Sequence, residues 1–336
     1  MLNTILIGFG NIAAGYSNDN TMNKYFKYAT HVQVLKDHPD FILNVVVDKD
    51  KNALLEAKNK WNIGEVFENI NELENHSDFD VAVLAIPPEG RLNIIKRFPN
   101  LKAIILEKPV AENINEAKRI KEYCENKGIL VQVNFTRRFD KKITNHFNNI
   151  HKDIGKIQSA FGLYGNGLNN NGSHLIDWSR MFLGEVNWVR SIANGNFLKE
   201  GPINNDSNFP FILGFDSQLI LMVHTLEFKK YREILLDFWG EKGRLFFSQE
   251  GLISSLSYKK NHRFLHNDFE LENDKQVFNL MGQSEALYNL YSNLSEAVLR
   301  NSKLKSDLNN AFTVMKIIKK IEKSFEENDR KILINE

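Results

Sequence analysis

Three groups of residues in this chain have the types and spacing to do chemistry. The first is Gly8-x-Gly10-x-x-Ala13, which stands directly behind the apolar run "TILIGF". In a strand-turn-helix of this kind the first glycine makes the turn, the second lets the main chain approach a pyrophosphate, and a small third residue packs helix against strand. The second is Asp48, closing the next apolar run, "FILNVVVD". A carboxylate there accepts hydrogen bonds from the hydroxyls of an adenosine ribose and repels a 2′-phosphate, which predicts NAD in preference to NADP. The third is Glu107-Lys108-Pro109, behind the run "KAIIL". Lysine is almost never buried without a partner, but ligands of an open parallel sheet sit outside the carboxyl ends of its strands. Lys108 is therefore expected to point towards the nicotinamide end of the cleft. Partial desolvation beside a positively charged ring lowers a lysine pKa, which suits a proton-transfer or hydroxyl-orienting group.

Positioning these groups requires a parallel sheet. Short apolar runs, "TILIGF", "FILNVVVD", "VAVLAIP", "KAIILEK" and "LVQVNF", alternate with amphipathic stretches such as "KNALLEAKNKW", "RLNIIKRF" and "NINEAKRIKEYCENKG". That alternation predicts an α/β Rossmann domain over residues 1–135. One spacing departs from the rule: Asp48 lies 35 positions beyond Ala13, where about 20 is usual. The excess falls on "SNDNTMNKYFKYATH", polar and turn-rich before it becomes helical. It reads as an insertion near the phosphate loop, reaching the substrate cleft or decorating the surface.

From residue 136 a helical stretch is followed by strands between turn signals: "KIQSAFGLYG", "WVRSIANGNF", "FPFILGF", "QLILMVHTLEF", "EILLDFWG", "GRLFFSQ" and "LISSLSYKK". One early helix, "SHLIDWSRMFLG", interrupts them, and two helical segments that can pack back on the first domain close the chain. Residues 136–336 thus read as an α+β domain with a mostly antiparallel sheet.

Composition narrows the function classes. The 43 basic residues against 42 acidic ones leave a charge of +1, so neither nucleic acid nor an anionic membrane is an expected partner. The apolar runs are too short to span a bilayer as helices. Cys124 is the single cysteine, which excludes an internal disulfide and, with no leader pattern in "MLNTILIGFG", points to the cytoplasm. The histidines form no metal-ligand spacing, so no metal is expected.

The glycine loop, "AIPP" after one strand, "EKPVA" after the next, "NFTRRFD", "NNNGSHLIDWSRMFLG" and "DFWGEKGRLFF" together resemble the glucose-fructose oxidoreductase/inositol dehydrogenase (Gfo/Idh/MocA) family over essentially the whole length. The resemblance implies a Rossmann domain followed by a substrate domain with an open-faced sheet, and hydride transfer between nicotinamide and a hydroxyl carbon of a sugar or cyclitol. It implies that Gly8, Gly10, Asn11, Ile12, Ala13, Asp48, Ala85, Ile86, Pro87, Glu107 and Lys108 line the cofactor. It also implies that Lys108 and His174 flank the reacting hydroxyl, His174 as general base; an imidazole at the start of a helix after a polar loop suits that role.

Many members of that family carry an aspartate four residues before the histidine, where this chain has Asn170. An amide orients a ligand but does not offset an imidazolium. Asp177, three residues on along the same helical face, is the carboxylate available to replace it. Asn134 is counted among the expected substrate contacts, and Arg137 and Arg138 behind it either grip a substrate phosphate bidentately or form structural ion pairs. Tyr164 and Asn166, read on the loop leading to His174, either contact sugar hydroxyls or simply belong to a polar loop. The resulting expectation is an NAD-dependent dehydrogenase of a nucleotide-linked or phosphorylated sugar in carbohydrate (surface polysaccharide-type) biosynthesis. The alternatives are a free cyclitol or hexose dehydrogenase and a catalytically inactive NAD-binding sensor. An apolar open sheet face further predicts a homodimer or homotetramer.

Overall fold

In the computed structural model, residues 1–193, 198–199, 201–203, 205–272, 275–278 and 283–335 are described. Contacts divide the chain into two units, residues 1–140 with 281–312 and residues 141–280 with 313–336.

The first unit is built on six strands: β1 (Leu2–Ile7), β2 (Phe41–Val47), β3 (Glu65–Phe67), β4 (Val81–Leu84), β5 (Ala103–Leu106) and β6 (Leu130–Val133). They lie in the order β3-β2-β1-β4-β5-β6, and every pairing is parallel. This is the sheet expected from the sequence, with one short strand, β3, that no apolar run announces. The central strands are apolar on both faces because helices cover both. Between strands run α1 (Asn20–Tyr25), α2 (His31–Asp37), α3 (Lys51–Asn59), α4 (Arg91–Ile95) and α5 (Ile114–Lys127). Helix α5 shows why such segments fold locally. The Asn113 side chain accepts from Glu116 N at 3.0 Å, Gly128 ends the helix at φ 67°, and Ala117, Ile120 and Cys124 form its buried face. Strand β5 stops at Leu106, two residues short of the end of the run "KAIILEK", so Glu107 and Lys108 lie in the turn, with the Lys108–Pro109 bond cis.

The displaced Asp48 has a structural explanation. Ala14 N bonds Gly10 O at 2.9 Å, as in a helix, but Ile12 O then accepts from His31 N at 3.1 Å and Ala13 O from Val32 N at 2.9 Å. In an uninterrupted helix Ile12 O would accept from residue 16. The ladder therefore jumps fifteen positions, and α2 continues the turn begun at Gly10. Subtracting those fifteen from 35 restores the usual separation of about 20. The excursion is tied at both ends inside the first unit. Lys60 Nζ donates to Ser17 Oγ at 3.0 Å, and Lys27 N and Tyr28 N bond Ser284 at 2.8 and 3.1 Å.

Helix α8 (Ala286–Arg300) completes the first unit. Its Leu287, Leu290, Tyr291 and Leu294 join Leu6, Ala13, Val32, Val46 and Val83 in one apolar cluster. Helix α9 (Leu308–Glu326) begins in this unit and continues in the second.

Among its described residues the second unit carries α6 (Lys141–Asp153), α7 (Ser173–Leu183) and twelve strands: β7 (Ile157–Tyr164), β8 (Val186–Ser191), β9 (Leu198–Lys199), β10 (Ser207–Asn208), β11 (Phe211–Phe215), β12 (Ile220–Thr225), β13 (Leu235–Gly240), β14 (Gly243–Ser248), β15 (Ile253–Asn261), β16 (Phe269–Leu271), β17 (Lys275–Phe278) and β18 (Ile332–Leu333). The large sheet runs β16-β15-β14-β13-β7-β12-β11-β8-β18. Its pairings are antiparallel except β7 with β12. The end of the strand expected at "WVRSIANGNF", residues 194–197, lies outside the described residues.

One face of this sheet packs on α7, where the Phe182 ring stacks on Phe238 at 5.0 Å and Trp178 meets Phe247 at 5.0 Å. The other face presents Phe161, Met222 and Trp239 at 43%, 47% and 39% exposure. Phe161 pairs with Met222 on one side and Asp237 on the other, so these side chains share one surface.

Candidate active site

Each member of the glycine motif has its own physical reason. Gly8 has φ +90°, and a Cβ there would lie 2.5 Å from Ala85 O, so no other residue fits the approach of the β4 end. A Cβ on Gly10 would meet no protein atom within 4 Å; the space beside it is open, as the approach of a pyrophosphate requires. Ala13 is fully buried in the core cluster. Asn11 is exposed and Ile12 half-buried on the turn between them. Gly8 N bonds Val47 O and Ala85 N bonds Ile7 O, both at 2.8 Å. The glycine loop, Asp48, Ala85 and Ile86 thus gather at one edge of the sheet, with Pro87 exposed behind them. The Asp48 carboxylate is held there by Phe9 N and, at 2.8 Å, by Asp50 N.

The next strand end is locked by residues that the sequence reading did not single out. Arg91 is 1% exposed, and its guanidinium donates to the carbonyls of Glu107 at 2.6 Å, Pro109 at 2.7 Å, Val110 at 3.2 Å and Ile86. It pins the loop after β4 to the loop after β5. Burial pulls its pKa down to about 10, partly countered by Glu107 and Glu116, which leaves it charged at neutral pH.

His31 is fully buried, with Nε2 2.9 Å from Glu107 Oε1 and Nδ1 2.8 Å from the Tyr291 hydroxyl. Asn134 Nδ2 donates to the same Glu107 oxygen at 2.6 Å. Burial pushes the Glu107 carboxyl up, but the His31 hydrogen bond and charge, the Asn134 amide and nearby Lys108 outweigh it and hold the carboxyl below its usual value. An ionised carboxylate only accepts, so His31 Nε2 carries a proton towards it, while Nδ1 meets the Tyr291 hydroxyl, which burial keeps protonated. Lys108 follows Glu107 directly and is half-buried.

This arrangement has a pH signature. A carboxyl whose pKa is lower folded than unfolded stabilises the fold above its unfolded value of about 4.3, and that contribution is lost as pH falls through the folded value. Glu107→Gln is expected to lower stability at neutral pH by about 1–3 kcal/mol. The deficit should shrink below about pH 4 as the native carboxylate takes up its proton. Urea unfolding on both sides of that range measures it; an equal deficit at both would contradict the assignment.

In the second unit a π-turn, Gly167–Gly172, runs straight into α7. Asn166 enters it in the left-handed region at φ 69°, and Asn170 Nδ2 closes it on Asn166 O at 3.1 Å. An acid from elsewhere in the sequence holds this turn. Asp206, 3% exposed, accepts from Asn169 N at 2.8 Å, Asn169 Nδ2 at 3.2 Å and Asn170 N at 2.9 Å. Burial, with the charge of Glu322, pushes its carboxyl above the ordinary range in spite of those donors. A Cβ on Gly167, at φ +95°, would lie 2.0 Å from the Asp206 carboxylate, so this glycine is required for the acid to reach the turn. His174 is half-buried in the first turn of α7, and Asp177, one turn on, is 1% exposed.

Tyr164 departs from expectation. It ends strand β7 rather than standing on a loop, is wholly buried, and both donates to and accepts from the main chain of Phe209, at 2.9 and 3.0 Å. It braces the strand and leaves the substrate set. Arg137 and Arg138 are half-buried on the 3-10 turn Thr136–Phe139, where Arg138 Nη2 donates to Asn310 Oδ1 at 3.0 Å. Among the described residues, no cluster of side chains could hold a metal ion, and no helix is long and apolar enough to cross a membrane.

A six-stranded parallel sheet with a glycine turn behind β1 and a carboxylate behind β2 defines a dinucleotide-binding domain of the Rossmann class. Residues 2–135 match the profile of the oxidoreductase family with an NAD-binding Rossmann fold, Gfo/Idh/MocA. A stretch of 76 residues is 32% identical to an uncharacterized oxidoreductase of Schizosaccharomyces pombe, covering 22% of this chain and 21% of that protein, so the match spans about a fifth of the curated relative. Among solved structures, levoglucosan dehydrogenase in complex with NADH and levoglucosan has a TM-score of 0.78 at 17% identity over 100% of both chains. The super-repressor mutant of Gal80p from Saccharomyces cerevisiae has a TM-score of 0.75 at 13% identity, covering 99% of this chain and 97% of that one. At such identities the likeness establishes the fold.

Proposed function

We propose that the protein is an NAD-dependent dehydrogenase or ketoreductase that moves hydride between nicotinamide and a hydroxyl-bearing carbon of a nucleotide-linked or phosphorylated sugar, in carbohydrate biosynthesis of the surface-polysaccharide type. The observation that carries this reading is the turn behind β5. There Lys108 follows a carboxylate locked by His31 and Asn134, at the edge of a parallel sheet where such domains hold their ligands. Bound NAD would supply the hydride acceptor. Lys108 orients the hydroxyl oxygen and His174 takes its proton, with Asn166, Asn170 and Asp177 as neighbours of that imidazole in the sequence. Asp48, fixed by two main-chain N–H groups, would meet a 2′-phosphate with like charge, which supports NAD over NADP. A phosphate or diphosphate is the group that the planar guanidinium groups of Arg137 and Arg138 recognise bidentately. The likeness to a dehydrogenase of the anhydrosugar levoglucosan supports a carbohydrate as the substrate class.

The test is a panel of sugar nucleotides, sugar phosphates, free hexoses and scyllo- and myo-inositol, offered with NAD+ while NADH formation is followed. Reduction by an anionic sugar is the expected result; reduction by inositol or a free hexose alone would replace the substrate class. A second reading, an NAD-binding sensor without turnover, draws on Asn170 in place of an acid and on the likeness to a protein described as a super-repressor. Silence across the panel with NAD binding intact would select it.

The exposed face of the large sheet supports a homodimer or homotetramer, because Phe161, Ile220, Met222 and Trp239 expose 39–48% of their surface side by side. A Phe161→Lys/Met222→Lys variant is expected to sediment as a smaller species than the wild type; unchanged sedimentation would exclude this face. A cytoplasmic location fits the single buried thiol, Cys124, and cell fractionation tests it.

A further inference from the structure

We propose that Asn134 is the residue that recognises the carboxamide of the nicotinamide ring, its Oδ1 accepting from the carboxamide N–H2. The inference rests on the dinucleotide reading above and moves Asn134 from the substrate set to the cofactor set. Three observations carry it.

The first is an amide whose orientation is settled. Asn134 Nδ2 donates to Glu107 Oε1 at 2.6 Å. That carboxyl is also held by His31 and stays ionised, so it accepts and never donates. The amide is not free to flip, because Oδ1 facing a carboxylate oxygen would be repelled. The second is that Asn134 is 5% exposed, and its Oδ1 has no hydrogen-bond partner among the described residues. Buried acceptors are normally paired, and one kept unpaired against a fixed neighbour calls for a donor from a ligand.

The third is place. Asn134 follows β6, the outer strand of the β4-β5-β6 half of the sheet, and Asn134 N bonds Leu106 O at 3.0 Å beside the end of β5. Asp48 follows β2, in the other half of the sheet. A dinucleotide lies across the switch between the halves, so the ribose carboxylate on the β2 side leaves the nicotinamide to the β5-β6 side. The carboxamide is the only N–H donor on that ring.

The chain Tyr291–His31–Glu107–Asn134 is then a positioning device. It runs from helix α8 through the resumed helix α2 to the carbonyl oxygen that meets the ring.

The test compares NAD+ with 3-acetylpyridine adenine dinucleotide, whose methyl ketone keeps the carbonyl and lacks the N–H2. Titration calorimetry on the full chain, with no turnover needed, reads the affinity. The wild type is expected to bind the analogue about tenfold more weakly than NAD+, the effect of one lost hydrogen bond. Asn134→Leu is expected to bind the two equally. Equal affinity of the wild type for both dinucleotides overturns the proposal and does so without a variant; so does a preference for NAD+ that survives in Asn134→Leu. Should the wild type bind neither dinucleotide, the cofactor reading itself fails and this assignment with it.

Discussion

Lys108→Met is expected to abolish turnover while NAD binding stays at the wild-type level. Methionine keeps the length and apolar body of the side chain and removes only the charge and the N–H donors. Glu107, which shapes the turn, keeps its bonds to His31 and Asn134, and Arg91 still holds the carbonyls of residues 107, 109 and 110. The turn should therefore persist. On the proposed assignment what is lost is the cation at the reacting hydroxyl, and a positioned proton-transfer group of this kind contributes about 10²–10⁴-fold. With a substrate identified from the sugar panel, kcat should fall in that range and the Kd for NAD should not move. An interaction made only in the transition state shows that pattern. Turnover within about tenfold of the wild type would remove Lys108 from the catalytic set. Arginine is not expected to rescue, because its planar fork cannot stand in for a compact ammonium.

Arg91→Met is expected to be the most destabilising single change in the first unit. The wild-type guanidinium satisfies four main-chain carbonyls while 1% exposed. Methionine fills most of the volume and donates nothing, so those carbonyls remain buried without a partner. Each buried acceptor left without a donor costs about 1–3 kcal/mol, against a whole-domain stability of about 5–15 kcal/mol. The loops after β4 and β5 are what Arg91 joins, and both carry residues assigned to the cofactor. A lowered urea midpoint should therefore come with weaker NAD binding, and occupancy by NAD should restore part of the lost stability. A midpoint within about 1 kcal/mol of the wild type would show that the loops find other donors.

Such contacts mark the limit of what the sequence discloses. Glycines at 8 and 10, a small residue at 13 and a carboxylate behind the second apolar run were legible because each acts through its own backbone position or strand end. The alternation of apolar runs and amphipathic stretches was enough for a parallel sheet followed by a mostly antiparallel one. The late Asp48 was visible only as an excess; the ladder that skips from Ile12 to His31 explains it, and spacing has no means of showing which carbonyl a later amide will find. Tyr164 looked like a loop residue because it borders a polar stretch, yet its phenol turns inward to Phe209.

By itself, then, the sequence determined the parallel sheet, the glycine turn, the carboxylate behind β2 and the lysine behind β5. Those features depend on periodicity and local backbone conformation over a few residues. Only the tertiary structure decided which side chains hold the turns: in the first unit Arg91 on three carbonyls sixteen to nineteen positions away and His31 between Glu107 and a tyrosine 260 positions on, and in the second unit Asp206 on a turn 36 positions earlier. A buried polar group must be paired, but its partner is whatever the packed fold brings within about 3 Å. No pattern along the chain encodes that distance.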